Sequence, residues 1–289
     1  MTETLSIRLL RTLTKGKALL SAEASAQVAN FVETQKVEGE ASFKNKSGAP
    51  DLYYTAFGWL LSYILELELD AKQRKAFLER WQEEQLGLIH YAALMRCRLL
   101  DELMEKGKLR MAFTGIKPRE VRALTSFHEV PQGDIHNPYS QFIWRGLLDD
   151  TGHAEEPMDL SGLEAYRVKG KGYANAPAQA MANLNATTAA LSLWGQAMGW
   201  KQHAEVEALR DMQEDHGGFK ASEVVPMADL LSTATALFVL QQYRVHPRFN
   251  AADFITSHWL DNGGFSATLL DETSDVEYVF YGLLALGTL

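Results

Sequence analysis

The chain reads as an all-α protein, a single domain over residues 1–289 in which about six helical hairpins close into an α/α toroid, with inner helices around a central cavity. Three observations predict this. A unit recurs: Gly217-Gly218-Phe219 with Asp229, Thr233, Leu237 and Leu240 is matched 46 residues later by Gly263-Gly264-Phe265 with Asp275, Val279, Leu283 and Leu286. Each Asp precedes an apolar run of helical period, where an N-cap belongs. No run alternates as a strand would, and the final helix stays apolar to within three residues of Leu289, so an open stack would leave an uncapped greasy end.

The same register extends upstream. Gly172-Tyr173, Asn183, Thr187, Leu191 and Trp194 form a third copy, with Asn for Asp. Ser126-Phe127, Asn137, Gln141 and Leu148 form a fourth without the glycine, and Phe43, Asp51, Thr55 and Trp59 form another with a loop two residues shorter. The glycine pair ends an outer helix, since glycine tolerates φ > 0 past a helix C-terminus. These units place inner helices near 51–69, 86–106, 137–150, 183–199, 229–243 and 275–287. Outer helices fall near 18–35, 71–84, 117–126, 158–168, 200–213 and 249–260, and Asp149 to Asp159 reads as a surface loop. Met1 to Leu20 reads as an amphipathic first helix and not as a secretory signal, because it lacks a continuous apolar core.

Composition excludes several function classes. Hydrophobic residues make up 46% of the chain and charged residues 22%, which suits a sizeable core. The formal net charge of −9 argues against nucleic acid or an anionic membrane as partner. No stretch is long and apolar enough for a membrane helix, so an integral membrane segment is not expected. The single cysteine, Cys97, allows no internal disulfide and reads as a buried thiol, with a cytoplasmic location following. His128, His136, His216 and His258 lack metal-like mutual spacing, His90 reads as a core histidine, and neither a metal nor a cofactor is implied.

A glycine pair, an aromatic, a loop, an Asp and an apolar helix together resemble the repeat of the prenyltransferase and squalene-cyclase superfamily. The resemblance rests on Gly217-Gly218-Phe219 with Asp229 and on Gly263-Gly264-Phe265 with Asp275. It implies an α/α toroid whose inner helices point their N-termini at an aromatic-lined cavity for isoprenoid chains. It also implies a possible helical second subunit, as protein prenyltransferase β-subunits have. The functional residues of that family do not carry over. Its zinc site uses Asp-x-Cys and Asp-x-x-His, and here Leu231 follows Asp229 where the Cys belongs and Tyr278 follows Asp275 where the His belongs. Its diphosphate-binding cations would stand where this chain has Glu223, Pro226, Leu269 and Glu272, although Lys44, Lys46 and Lys220 lie in related loops. The Asp-x-Asp-Asp cluster of the cyclases is missing, and Asp149-Asp150 lacks the third carboxylate.

The first turns of the inner helices supply the candidate ligand-binding residues: Tyr53, Tyr54, Tyr139, Asn185, Tyr278 and Tyr281, with Trp144 and Arg145 deeper. Hydroxyls and rings of this kind suit a greasy ligand with a small polar head. They equally suit a ring centre simply filled with side chains. Glu277 is the first acid–base candidate, with Asp229 and Asp275 beside it. In an apolar cavity its carboxyl would hold a proton more tightly, and on an exposed first turn it would only complement the helix dipole. Arg145, in an apolar inner helix, asks for a buried partner such as Glu277 or Asp149. Three functions fit: conversion of an isoprenoid-like substrate, binding of a hydrophobic small molecule without chemistry, or a structural role in self-association or with a second helical subunit.

Overall fold

A computed structural model describes residues 3–82, 86–106, 135–154, 158–201 and 203–289, and these are mostly helical. The predicted inner helices appear as α3 (Leu52–Leu65), α5 (Leu88–Lys106), α6 (Pro138–Thr151), α7 (Leu184–Met198), α9 (Leu230–Gln242) and α11 (Val276–Thr288). The predicted first helix is α1 (Leu5–Leu19), and shorter helices α2 (Ala22–Thr34), α4 (Ala71–Leu78), α8 (Ala204–Asp211) and α10 (Ala252–Ser257) stand between the long ones.

Local chemistry explains where the long helices start. Asp51, Asn137, Asn183, Asp229 and Asp275 are all N-caps, each accepting from the amide three residues on, at 3.1, 2.8, 3.2, 2.7 and 3.0 Å. That bond satisfies an amide the helix itself leaves unpaired. A threonine one turn later binds the elbow: the Oγ1 atoms of Thr55, Thr187 and Thr233 accept from the amides of Phe43, Tyr173 and Phe219, each at 2.9 Å. In the last unit Val279 replaces the threonine, and Ser274 accepts from the Phe265 amide instead, at 3.0 Å. The elbow ring then lies on a helix position without a side chain, Phe43 over Gly58 and Phe265 over Gly282.

Neighbouring units are stitched in register. The Leu184 amide donates to Ala221 O at 2.8 Å, and the Leu230 amide to Ala267 O at 3.0 Å, so both ends of the bond advance by 46 residues. Helix α3 packs on α5, α5 on α6, α6 on α7, α7 on α9, α9 on α11, and α11 on α3. Helix α8 touches both α7 and α9, and α2 in the same way touches both α11 and α3. The elbow glycine Gly217 abuts Asn250 and Ala251 at the start of α10, and its counterpart Gly263 abuts Gln27 and Val28 of α2.

Two expectations are corrected. The outer helix predicted near 158–168 is a 3-10 turn, Ser161–Tyr166, which runs into the two-residue strands β1 (Arg167–Val168) and β2 (Gly172–Tyr173). Gly162 weakens the helix there, and Asp159 draws the Ser161 amide into a local turn at 2.9 Å. His90 is exposed on α5 and is not a core histidine. The outer helix predicted near 117–126, with the Ser126-Phe127 elbow, lies outside the described residues. Cys97 is fully buried, and burial pushes its thiol pKa well up.

Helix α1 adds an element the repeat does not contain. It packs on α11 so closely that backbone meets backbone: Gly16 faces the Leu283 carbonyl and Gly287 faces the Thr12 carbonyl. It also reaches the C-terminal ends of three other long helices. Ser6 Oγ donates to Asp150 Oδ2 in the last turn of α6 (2.6 Å), Arg8 to Gln242 at the end of α9 (2.9 Å), and Lys17 Nζ to Ile64 O of α3 (3.0 Å).

Candidate functional site

The N-terminal halves of α3, α6 and α11 bring together most of the residues picked out by the sequence. Tyr53 Oη donates to Glu277 Oε1 at 2.7 Å, although 224 residues separate them. Phe57, one turn below Tyr53, has its ring centre 5.0 Å from that of Tyr53, 5.0 Å from that of Phe280 and 6.3 Å from that of Tyr281. Tyr278 and Tyr281 are 6.3 Å apart, in a tilted arrangement. Tyr139 of α6 lies within electrostatic reach of Tyr53, Tyr281 and Glu277. Spacing explains the grouping: Tyr53 with Phe57, and Tyr278 with Tyr281, are three or four residues apart and so share a helix face.

Tyr53, Tyr139 and Tyr281 are each part-buried and keep some accessible surface. A ring packed solidly into a core would lose that surface. Desolvation raises the phenol pKa of all three, so they stay neutral hydroxyls over the working pH range. Tyr54, nearer the helix start, is pushed up to about 12 by desolvation and by the neighbouring carboxylates Asp275, Glu277 and Asp51.

Glu277 is 9% exposed, so it is not the solvent-facing first-turn glutamate of the alternative reading. Burial raises its pKa, the Tyr53 hydrogen bond lowers it, the Asp275 charge raises it, and Lys46 lowers it. The result is a carboxyl able to take or give a proton inside an apolar setting, with one oxygen held by a phenol. Tyr53→Phe is expected to move the Glu277 pKa further up, because it removes the largest influence favouring the ionised form. Carbon-13 NMR titration of the Glu277 carboxyl checks this; a downward shift would show that the phenol does not stabilise the carboxylate.

The other two acid–base candidates are engaged in capping. Asp229 accepts from the Ser232 amide and from Ser232 Oγ, both at 2.7 Å, and Asp275 holds the Tyr278 amide. Burial raises the pKa of both. Arg145 is paired with Asp149, one of the two partners its position suggested: its Nε donates to Oδ1 of the part-buried Asp149 at 2.9 Å, one turn along α6. Trp144 packs against the main apolar core, and Asn185 is part-buried on the first turn of α7, its backbone carbonyl accepting from Thr188 at 3.0 Å. Of the loop cations, Lys44 donates to Thr34 O, Lys220 pairs with Glu214 at 3.1 Å, and the Lys46 ammonium sits 5.2 Å from the centre of the Tyr278 ring. Among the described residues, no three His, Cys, Asp or Glu side chains gather as a metal site, and no helix is long and apolar enough to cross a membrane.

The chain matches no known protein-family profile and no curated protein.

Two further residues were missed in the sequence. Asp150, at the end of α6, is enclosed by protein and accepts from Ser6 and Thr4 of the N-terminal segment. Burial raises its pKa to about 6 against those two hydroxyls and the nearby Arg96 charge, which pull it down. Arg96 of α5 is the second. Part-buried between the buried Met95 and Cys97, it lowers the pKa of Tyr139, Tyr281 and Asp150 through its charge. In the sequence it hides within the apolar run Tyr91-Ala92-Ala93-Leu94-Met95-Arg96-Cys97.

Asp150 makes stability depend on pH. Its folded pKa of about 6 lies above the model-peptide value, so the fold prefers the protonated acid. The preference is fully expressed below about pH 4 and is lost as pH rises through 6. A shift of roughly two units corresponds to at most about 3 kcal/mol. Asp150→Asn, which keeps an acceptor for Ser6, is expected to stabilise the protein by about 1–3 kcal/mol at pH 7.5 and by almost nothing near pH 3.5. Urea titrations at the two pH values test this, and an equal effect at both would refute the assignment.

Proposed function

We propose that the chain is a closed α/α toroid that binds a hydrophobic, isoprenoid- or lipid-like molecule in its centre, the polar end of the ligand meeting the tyrosine–Glu277 cluster. Closure is supported by the order of neighbours, in which the last long helix meets the first, and by Gly263 abutting α2 as Gly217 abuts α10. Helix α1 would floor the cavity, since it is bonded to the last turns of α3, α6 and α9. The mouth is then the N-terminal end of the long helices, where Tyr54, Tyr278 and Lys46 stand.

The observation that carries the binding reading is the grouping of Tyr53, Tyr278, Tyr281 and Glu277 at the N-terminal halves of α3 and α11, with the tyrosine rings only part-buried. Apolar walls with a few convergent hydroxyls are the usual composition of a small-molecule site. The zinc ligands and loop cations of the prenyltransferases have no counterparts at the matching positions, so the reading stops at binding, with Glu277 as the group to examine for proton transfer. Calorimetric titration with farnesol tests it. One equivalent is expected to bind, and Tyr281→Trp, which fills the space, is expected to weaken binding about tenfold. No binding, or full binding by the Trp variant, would overturn the proposal.

A structural role has one observation in its favour. Val224 and Leu270, at equivalent positions in successive units, are 70% and 76% exposed, with Leu269 beside them. Such knobs suit contact with a second copy of the chain. Light scattering of the wild type against Val224→Asp/Leu270→Asp decides it: a dimer that dissociates in the variant supports this role, and a monomeric wild type excludes it.

A further inference from the structure

We infer that Glu277 and the rings of Tyr53, Phe57, Tyr278 and Tyr281 form the receptor for an alkylammonium head group, so that the molecule held by the chain is a cationic amphiphile with an N–H to donate. This rests on the binding reading above and adds the charge of the ligand to it.

A carboxylate withdrawn from water normally has both oxygens engaged, because an unmatched one gives up hydration for nothing. Glu277 is nine-tenths buried, and its Oε1 is held by the Tyr53 hydroxyl at 2.7 Å. Among the described residues nothing donates to Oε2, and that oxygen is not one of the enclosed, unpartnered polar atoms of the chain. It is therefore an acceptor within reach of a small group from outside. The other two carboxylates at this end are committed to helix starts. Asp51 accepts from the Tyr54 amide at 3.1 Å, and Asp275 from the Tyr278 amide at 3.0 Å. Tyr53 and Glu277 each stand two residues past one of these caps, so equivalent places on α3 and α11 meet in the bond.

The surroundings favour a cation over any other head group. The Phe57 ring centre is 5.0 Å from that of Tyr53 and 6.3 Å from that of Tyr281, Tyr281 is 6.3 Å from Tyr278, and all four rings are part-buried. Aromatic faces carry partial negative charge and attract ammonium ions, more strongly where water is excluded. The chain supplies its own example. The Lys46 ammonium sits 5.2 Å from the centre of the Tyr278 ring, and this exposed side chain forms no ion pair among the described residues. An anionic head would meet three carboxylates, and a neutral alcohol would leave their charge unbalanced. A quaternary ammonium would meet the rings but has no hydrogen for Oε2. A protonated amine supplies both the charge and the donor. It also offsets the burial of Glu277, which raises the pKa of that carboxyl. The alkyl chain would continue along Phe57 and Phe280, whose ring centres are 5.0 Å apart.

Calorimetry at neutral pH with decylamine hydrochloride and 1-decanol, each below its micellar or solubility limit, on the wild type, Glu277→Gln and Lys46→Gln, tests the inference. Decylammonium is expected to bind the wild type at least about tenfold more tightly than decanol, as a charge-assisted hydrogen bond would give. Glu277→Gln should erase that ratio while leaving decanol affinity unchanged, which also shows that the variant is folded. Lys46→Gln changes an exposed side chain, so it keeps the test open if Glu277→Gln does not fold. It removes the competing cation and should raise the ratio about threefold. Equal affinity of the two probes in the wild type, an undiminished ratio in Glu277→Gln, or an unchanged ratio in Lys46→Gln would overturn the ammonium assignment and leave the binding reading standing. Failure of both probes to bind the wild type would overturn both.

Discussion

Gly263→Ala is expected to lower the free energy of unfolding by about 4 kcal/mol, whereas Gly39→Ala should cost only about 1 kcal/mol. Both glycines have positive φ, +87° and +74°. An L side chain pays for that conformation at either place, roughly 1–2 kcal/mol. The surroundings separate them. A Cβ at Gly39 would meet nothing within 4 Å, but at Gly263 it would run into the backbone of Gln27 and the amide of Val28 in α2. Backbone on both sides cannot give way as a flexible side chain can, so the last elbow would have to lift off α2. Urea titration of the two variants measures the difference. Equal losses would mean that the final unit does not rest on α2.

Gly16→Ala and Gly287→Ala are each expected to destabilise by about 3 kcal/mol, against the usual direction for a helical glycine. Replacing glycine inside a helix normally gains roughly 0.5–1 kcal/mol. Gly146, on α6, is the internal control: nothing lies within 4 Å of its added Cβ, so Gly146→Ala should show that gain. At Gly16 the new carbon would overlap the Leu283 carbonyl, and at Gly287 the Thr12 carbonyl, forcing α1 and α11 apart. Because both changes open one interface, the double variant should lose clearly less than the sum of the single losses. Additive losses would mean that the two glycines serve separate contacts.

The features legible in the sequence are those written by local chemistry. An N-cap needs only an Asp or Asn at the right place, and Asp51, Asn137, Asn183, Asp229 and Asp275 occur at the starts of long helices because their side chains reach an amide three residues on. The recurring threonine was visible as a pattern, though its bond to the elbow amide was not. The tyrosine cluster was legible because helix period alone places Tyr278 and Tyr281 on one face. The Tyr53–Glu277 bond was not, since it depends on which long helices become neighbours.

What stayed hidden depends on contacts distant in the chain. Nothing within the first twenty residues announces that Gly16 will lie against Leu283, or that Ser6 will reach Asp150. The segment 158–168 carried enough apolar residues to pass for a helix, and the turn at Ser161–Tyr166 prevailed through Gly162 and Asp159. His90 was misread for a simple reason. On a helix apolar over most of its surface, residue type does not say which polar side chain faces inward, and here the histidine faces solvent while Arg96 is part-buried.

The meeting of the last unit with the first is tested most directly by a distance. Spin labels on Ala26→Cys in α2 and Asn262→Cys in the last elbow, read by pulsed electron paramagnetic resonance, leave the native Cys97 unlabelled because it is fully buried. A closed ring predicts a separation of one helix spacing, roughly 8–10 Å, plus the label arms. A separation on the order of 50 Å, the span of five such spacings laid end to end, would contradict it.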